Sequence, residues 1–471
     1  IRERIEQIRR GEVPEGYKRT KVGVIPEDWS EGSLGDLFEF EGGYPASREQ
    51  LSEEGICYLH YGDLHKNPRN YIDVDKDLVL IPKLNEEIDN IPSKYFLQDG
   101  DIVFADASED YEGIGKYVVI YNKKNIPFVS GLHTIVARDK KNLIVRDYKR
   151  YAFLIHEVRK QFMTYASGIS VYGISRSNLK KIKIAYPDKN EQKKIAQILS
   201  AWDKAIELKE KLIEQKKLQK KGLMQLLLTG KVRWNDANIH SKQDLNHRLS
   251  LIQRGEVPDG YQKTKFGIVP KDWEVRKAKQ IFENYVDKNH GGMLEVLSVT
   301  QDRGAIPRSQ LEIDIKYDES SVINYKKVNM GDFIISLRSF QGGIEYSRYE
   351  GIISPAYTVI RNIINIDKDY YRYLFKSKSF VSRLSAVVYG IRDGKQIGFS
   401  DFGEMYLPYP PIEEQQKIAQ ILSTLDKSIH LLEQELEALK QQKKGLMQLL
   451  LTGIVRVHEL EKVECLTLCS S

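Results

Sequence analysis

The sequence predicts an α+β protein: two globular domains separated by two long helices that pair as an antiparallel coiled coil, all on a pseudo-two-fold internal repeat. Three observations predict it. A stretch of 47 residues, 187–233, recurs without a gap at 410–456, with 31 positions identical. A shorter pair, 10–29 and 254–273, agrees at 13 of 20 positions. Between the repeats lie two unlike segments, 30–186 and 274–409, whose short apolar runs are broken by turn residues.

Taken in order, the chain divides into an N-terminal repeat segment (1–29), a first globular domain (30–186), and a central block of long helix plus connector (187–273). A second globular domain (274–409), a second long helix (410–456) and a tail without assigned function (457–471) follow. Residues 1–10 and 245–254 read as short helices, each running into a Gly/Pro connector that ends in Asp28-Trp29 or Asp272-Trp273. Both domains close on an apolar strand leading to a proline, at Pro187 and Pro410. Connector and helix are contiguous in the central block, whereas their counterparts lie at opposite termini. The repeat is satisfied if those termini meet and imitate the centre.

The long helices follow from heptad spacing. In the second copy Ile418, Leu422, Leu425, Ile429, Leu432, Leu436 and Leu439 alternate steps of four and three. The first copy keeps Ile195, Leu199, Trp202, Ile206 and Ile213 on that seam, with Lys209 and Lys216 where Leu432 and Leu439 stand. Proline opens each helix and Thr-Gly closes it. The ends carry more leucine than one seam needs. Leu223, Leu226 and Leu227, repeated as Leu446, Leu449 and Leu450, surround the helix, and a helix apolar all round expects a further partner.

Composition bounds the function class. At 471 residues with 29% charged and 41% hydrophobic residues, the chain reads as a multidomain soluble protein. No apolar run reaches the twenty or so residues of a membrane span, and no signal peptide opens the chain. Three cysteines make neither a disulfide framework nor a metal pattern, which suits the cytoplasm. A net charge of +6 permits nucleic-acid binding without demonstrating it. Catalytic signatures are missing: there is no [DNS]-P-P-[YFW] methyltransferase motif and no phosphate loop, and the nine histidines form no ligand-spaced cluster. Pro187-Asp188 with Glu191-Gln192-Lys193 spells a nuclease-like string. Its spacing is too tight for a metal site and the second copy breaks it, so it reads as a helix start.

The combination resembles a known family. The KKGLMQLLLTG tract ending in Val-Arg, the connectors ending in Pro-x-Asp-Trp, and Glu-Gln-x-Lys-Ile-Ala-Gln-Ile-Leu at Glu191 and Glu414 look like the specificity (S) subunits of Type I restriction-modification systems. The resemblance implies that each variable segment is a target-recognition domain reading one half of a split, asymmetric DNA site. It implies that the helices are a spacer on which two methyltransferase (M) subunits dock, joined by restriction (R) subunits when present. This chain would be non-catalytic and bind no cofactor. Partner chains would use S-adenosylmethionine, and ATP with magnesium (Mg2+).

Base reading needs donors and acceptors on exposed loops. In the first domain the candidates are Tyr44 and Arg48, then Lys66, Arg69 and Asn70, then Tyr172, Arg176, Ser177 and Asn178. The second domain offers Arg338, Ser339 and Gln341, and a loop with Tyr389, Arg392, Asp393, Lys395 and Gln396. The same residues also suit ordinary polar turns. Lys217, Lys220 and Lys221, echoed by Lys440, Lys443 and Lys444, either line DNA or form a solvated helix face. Two rivals stay open: a self-contained restriction-methylation enzyme, and a coiled-coil scaffold carrying two non-DNA interaction domains.

Overall fold

The computed structural model describes residues 1–169, 171–236, 241–291, 293–311, 319–388 and 397–460. They fall into two compact units, Ile1–Leu208 with Glu435–Ser471, and Lys209–Gln434. The long helices are Lys189–Leu227 and Ile412–Leu451, of 39 and 40 residues, each on the order of 60 Å long. Each unit holds the first part of one helix and the last part of the other.

The heptad seam is where the sequence put it. Ile195, Leu199 and Ile213 are buried, as are Ile418, Leu422 and Ile429, while Lys209 and Lys216 lie half-buried in line with them. Within the second unit Lys217 pairs with Glu433 at 2.7 Å and Lys220 with Asp426 at 2.5 Å, so the helix segments run antiparallel. In the first unit Lys443 pairs with Asp203. These lysines hold a partner helix, which neither reading of them foresaw.

In both units the domain is an insert between two strands that pair with each other. Ser30–Ser33 runs antiparallel to Lys183–Tyr186, and Glu274–Lys277 to Tyr406–Tyr409. The first domain contains a five-stranded sheet in the order Phe38–Gly42, Thr134–Asp139, Ile102–Ala105, Tyr117–Tyr121, Tyr71–Asp73, beside a four-stranded one. The second has a four-stranded sheet ordered Phe282–Tyr285, Thr358–Asn362, Phe333–Ile335, Glu345–Tyr346. A buried ion pair marks the same register in each: Arg138 with Asp101 at 2.9 Å, and Arg361 with Asp332 at 2.7 Å.

The repeats meet as the sequence order required. In the first unit the N-terminal connector packs on the end of the second long helix: Tyr17 donates to the Gly453 carbonyl at 2.8 Å, and Arg4 pairs with Glu459 at 2.8 Å. In the second unit Tyr261 donates to Gly230 at 3.0 Å, and Arg248 pairs with Asp236 at 2.6 Å. Gly453 and Gly230 have φ of 67° and 70°, and a Cβ on either would lie about 2.5 Å from the ring of Pro26 or Pro270. Only glycine fits both constraints, which explains the invariant Thr-Gly ending of the two copies. Trp29 and Trp273, each 1% exposed, cap these junctions, and their indole nitrogens donate to Glu191 and Glu414. The nuclease-like string resolves here: Asp188 accepts from the backbone N–H of Asn190 and Glu191 as a helix cap, and Glu191 pairs with Arg456.

Candidate nucleic-acid interface

In the first domain, loops far apart in sequence converge at one end of the sheets. Tyr44 bridges to Gly131, Asp106 takes a backbone bond to His133, Ile174 donates to the Asp106 carbonyl, and the His65 ring bonds to the Ala107 carbonyl. The loops at 43–48, 61–70 and 167–178 are thereby held around Asp106 and the turn at 131–133. Exposed at this end are Lys66, Arg176 and Ser177; Ser177 shares a 2.8 Å hydrogen bond with Ser175.

Other candidates there are engaged inside the domain. Arg69 is paired with Asp77 at 2.7 Å and stacked 4.9 Å over Tyr71, and Asn70 donates to the Arg150 carbonyl. Asn178 donates to the Tyr165 carbonyl at 3.0 Å. The Tyr44 ring meets Tyr95 edge-on at 5.4 Å, and Tyr172 meets Tyr111 at 5.2 Å. The Arg48 side chain lies outside the described residues.

In the second domain, Arg338 and Gln341 are exposed. Ser339 is 1% exposed and its hydroxyl accepts from the Ser336 amide at 2.8 Å, so it braces the turn rather than facing a ligand. Gln341 lines a cleft of about 780 Å3 with Lys217, Lys220, Lys221 and Lys378. Tyr389, Arg392, Asp393, Lys395 and Gln396 lie outside the described residues.

Two groups were missed. Beside Asp106 in the first domain, His133 has φ of 59°, the left-handed region, and its Nδ1 lies 3.3 Å from Asp106 Oδ1. The Tyr61 ring meets His133 edge-on at 5.5 Å. The signal was present in the sequence: the two domains share Gly-Asp and a β-strand, then diverge to Ala-Asp-Ala at one place and Ser-Leu-Arg at the other. In the second domain Glu345 is 1% exposed, with Lys376 2.6 Å from Oε1 and no hydrogen-bond partner for Oε2. Burial pushes its carboxyl up to about 7 although Lys376 opposes the shift.

The leucines proposed for partner docking divide by burial. Leu227 and Leu450 are buried in the chain's own cores, and Leu223 and Leu446 are half-buried against them. Leu226 and Leu449 are half-buried without belonging to either core. Among the described residues no helix is long and apolar enough to cross a membrane, and no three His, Cys, Asp or Glu side chains are grouped to hold a metal.

Comparison with known proteins matches this architecture. The family model of the Type I restriction modification DNA specificity domain matches twice, over residues 26–217 and 270–441. From Methanocaldococcus jannaschii, a protein provisionally named the type I restriction enzyme MjaX specificity subunit is 28% identical, over 94% of this chain and 97% of its own. The MjaVIII specificity subunit of the same organism is 27% identical over 95% and 97%. A solved structure titled for complex assembly and conformational transition of the type I R-M system shares the fold at a TM-score of 0.51, with 15% identity over 91% of this chain and 97% of that one. With two copies of its domain covering most of the sequence, the chain belongs to the Type I restriction-modification DNA specificity family, whose members recognise DNA and are not the catalytic subunits.

Proposed function

We propose that this chain reads a bipartite, asymmetric DNA site, one half per domain, and carries two methyltransferase (M) subunits on its long helices, with restriction (R) subunits when present. The observation that supports this best is the contrast between frame and loops. Connector, helix end, tryptophan and arginine recur contact for contact in both units, whereas the loops at the sheet ends differ in length and chemistry. A frame kept constant beneath divergent loops is how specificity is varied without rebuilding a fold. Two half-sites on one DNA face lie about one helical turn apart, roughly 34–36 Å between centres, which leaves an unread gap of about 5–8 base pairs. Methyl transfer from S-adenosylmethionine, and cleavage driven by ATP with Mg2+, belong to the partner chains. The purified chain alone then neither methylates nor cuts DNA.

The test is assembly of the purified chain with its M partner, with mass and DNA binding measured together. The reading expects two M subunits per chain and a complex that prefers particular sequences over bulk DNA. An interaction scaffold would bind its partners with no sequence preference, and methylation by the lone chain would mark a self-contained enzyme.

A further inference from the structure

We propose that the base-reading element of each domain is the short segment just past its shared sheet strand: Asp106 with His133 in the first domain and Arg338 in the second. This rests on the reading that each domain reads one half-site. The ion pairs Arg138–Asp101 and Arg361–Asp332 fix the correspondence, because each aspartate opens the strand concerned. Five positions after Asp101 stands Asp106; five and six after Asp332 stand Leu337 and Arg338. The position equivalent to Asp106 is thus Leu337, and Arg338 lies one residue further on, so the same strand-end segment carries a carboxylate in one domain and, one residue on, a guanidinium in the other.

The local chemistry suits contact with bases. Asp106 is held through its backbone by His133 and Ile174, so its carboxyl group has no structural duty in those bonds. Its Oδ1 is shielded from solvent yet accepts no hydrogen bond: His133 Nδ1, at 3.3 Å, is near but not aligned. A desolvated carboxylate oxygen lacking a donor costs stability, while a third of the Asp106 side chain stays open to a ligand. His133 adopts a left-handed backbone conformation that non-glycine residues adopt at a cost. Strain of this kind gathers where a side chain is aimed for function. In the major groove the donors to a carboxylate are the exocyclic amines of cytosine and adenine, and the acceptor edges of guanine and thymine repel it.

Arg338 offers the opposite chemistry. It is exposed, and among the described residues its guanidinium makes no ion pair. The turn beneath it is locked by Ser339, whose hydroxyl accepts from Ser336. An exposed guanidinium with free donors, carried on a braced turn, fits guanine O6 and N7 in bidentate fashion.

The experiment maps methylated sites made by the complex of this chain with its M partner, for the parent and for D106N, H133N and R338Q. Asparagine tolerates the left-handed backbone at 133, so H133N removes the imidazole while keeping the turn. D106N and H133N should lower discrimination about tenfold or more at positions in one half-site, leaving the other half unchanged. R338Q should do the same only in the other half, at a position where the parent requires guanine. Parental preference at every position in the variants, uniform loss of activity with no change of preference, or effects of Asp106 and Arg338 in the same half would each overturn the assignment. A parent complex whose site is not bipartite would instead overturn the reading on which it rests.

Discussion

Arg233 and Arg456 do the same work at the two junctions. Arg456 spans Asp28 and Glu191, and Arg233 spans Asp272 and Glu414. Each inner glutamate is nearly buried and also receives a tryptophan N–H, so removing the arginine strands a carboxylate. R456A and R233A should each cost about 3 kcal/mol in denaturant unfolding, and lysine should restore little because it lacks the bidentate fork. A cost at one junction with none at the other would mean that the contacts are not equivalent. Glu345 makes a separate prediction. Its folded pKa, about 7, lies above its ordinary value, so the folded state holds its proton longer than the unfolded state does. The sign is negative: the second unit loses stability as pH rises from the ordinary carboxylate range towards 7. E345Q should flatten that dependence, as read from unfolding midpoints between pH 4.5 and 7.5. An unchanged slope would place the proton elsewhere.

The long helices were legible in sequence because a seven-residue period over some forty residues leaves few alternatives, and the burial of Ile195, Leu199, Ile418 and Leu422 follows it. The partners of the apolar ends were not. Leu227 and Leu450 looked free because their covering comes from Trp273 and Val269, or Trp29 and Ile25, in connectors remote along the chain from the helix ends they cover. Periodicity reports that a face is buried and is silent on what buries it. Three of the base-contact candidates show a related effect: Arg69, Asn70 and Ser339 have the chemistry of recognition, yet tertiary partners already engage them. Charge introduced at Leu227 or Leu450 should therefore unfold its unit, at a cost of at least 3–5 kcal/mol. The informative pair is L226D with L449D, which should stay folded by circular dichroism and lose M subunit binding. Normal binding of two M subunits by that folded variant would remove the helix ends from the docking surface.

At the scale of the whole molecule, the helices are a proposed ruler. Four residues added to one helix alone would misalign Lys217–Glu433 and Lys220–Asp426. Seven added after Leu208 and seven after Gln434, where the units divide, would keep the heptad phase. The added rise is about 10 Å, and the unread gap should grow by about three base pairs with both half-sites unchanged. A parental gap in the active variant would mean that the helices do not set the spacing.

The most direct measurement replaces residues 274–409 with a second copy of 30–186, maps methylated sites made with the M partner, and compares them with the parent. The exchange is clean because each domain enters and leaves on strands paired with each other. The parent should give two different half-sites, and the variant should give the first half-site twice. Retention of the parental second half-site in the variant would contradict the claim that each domain reads its own half.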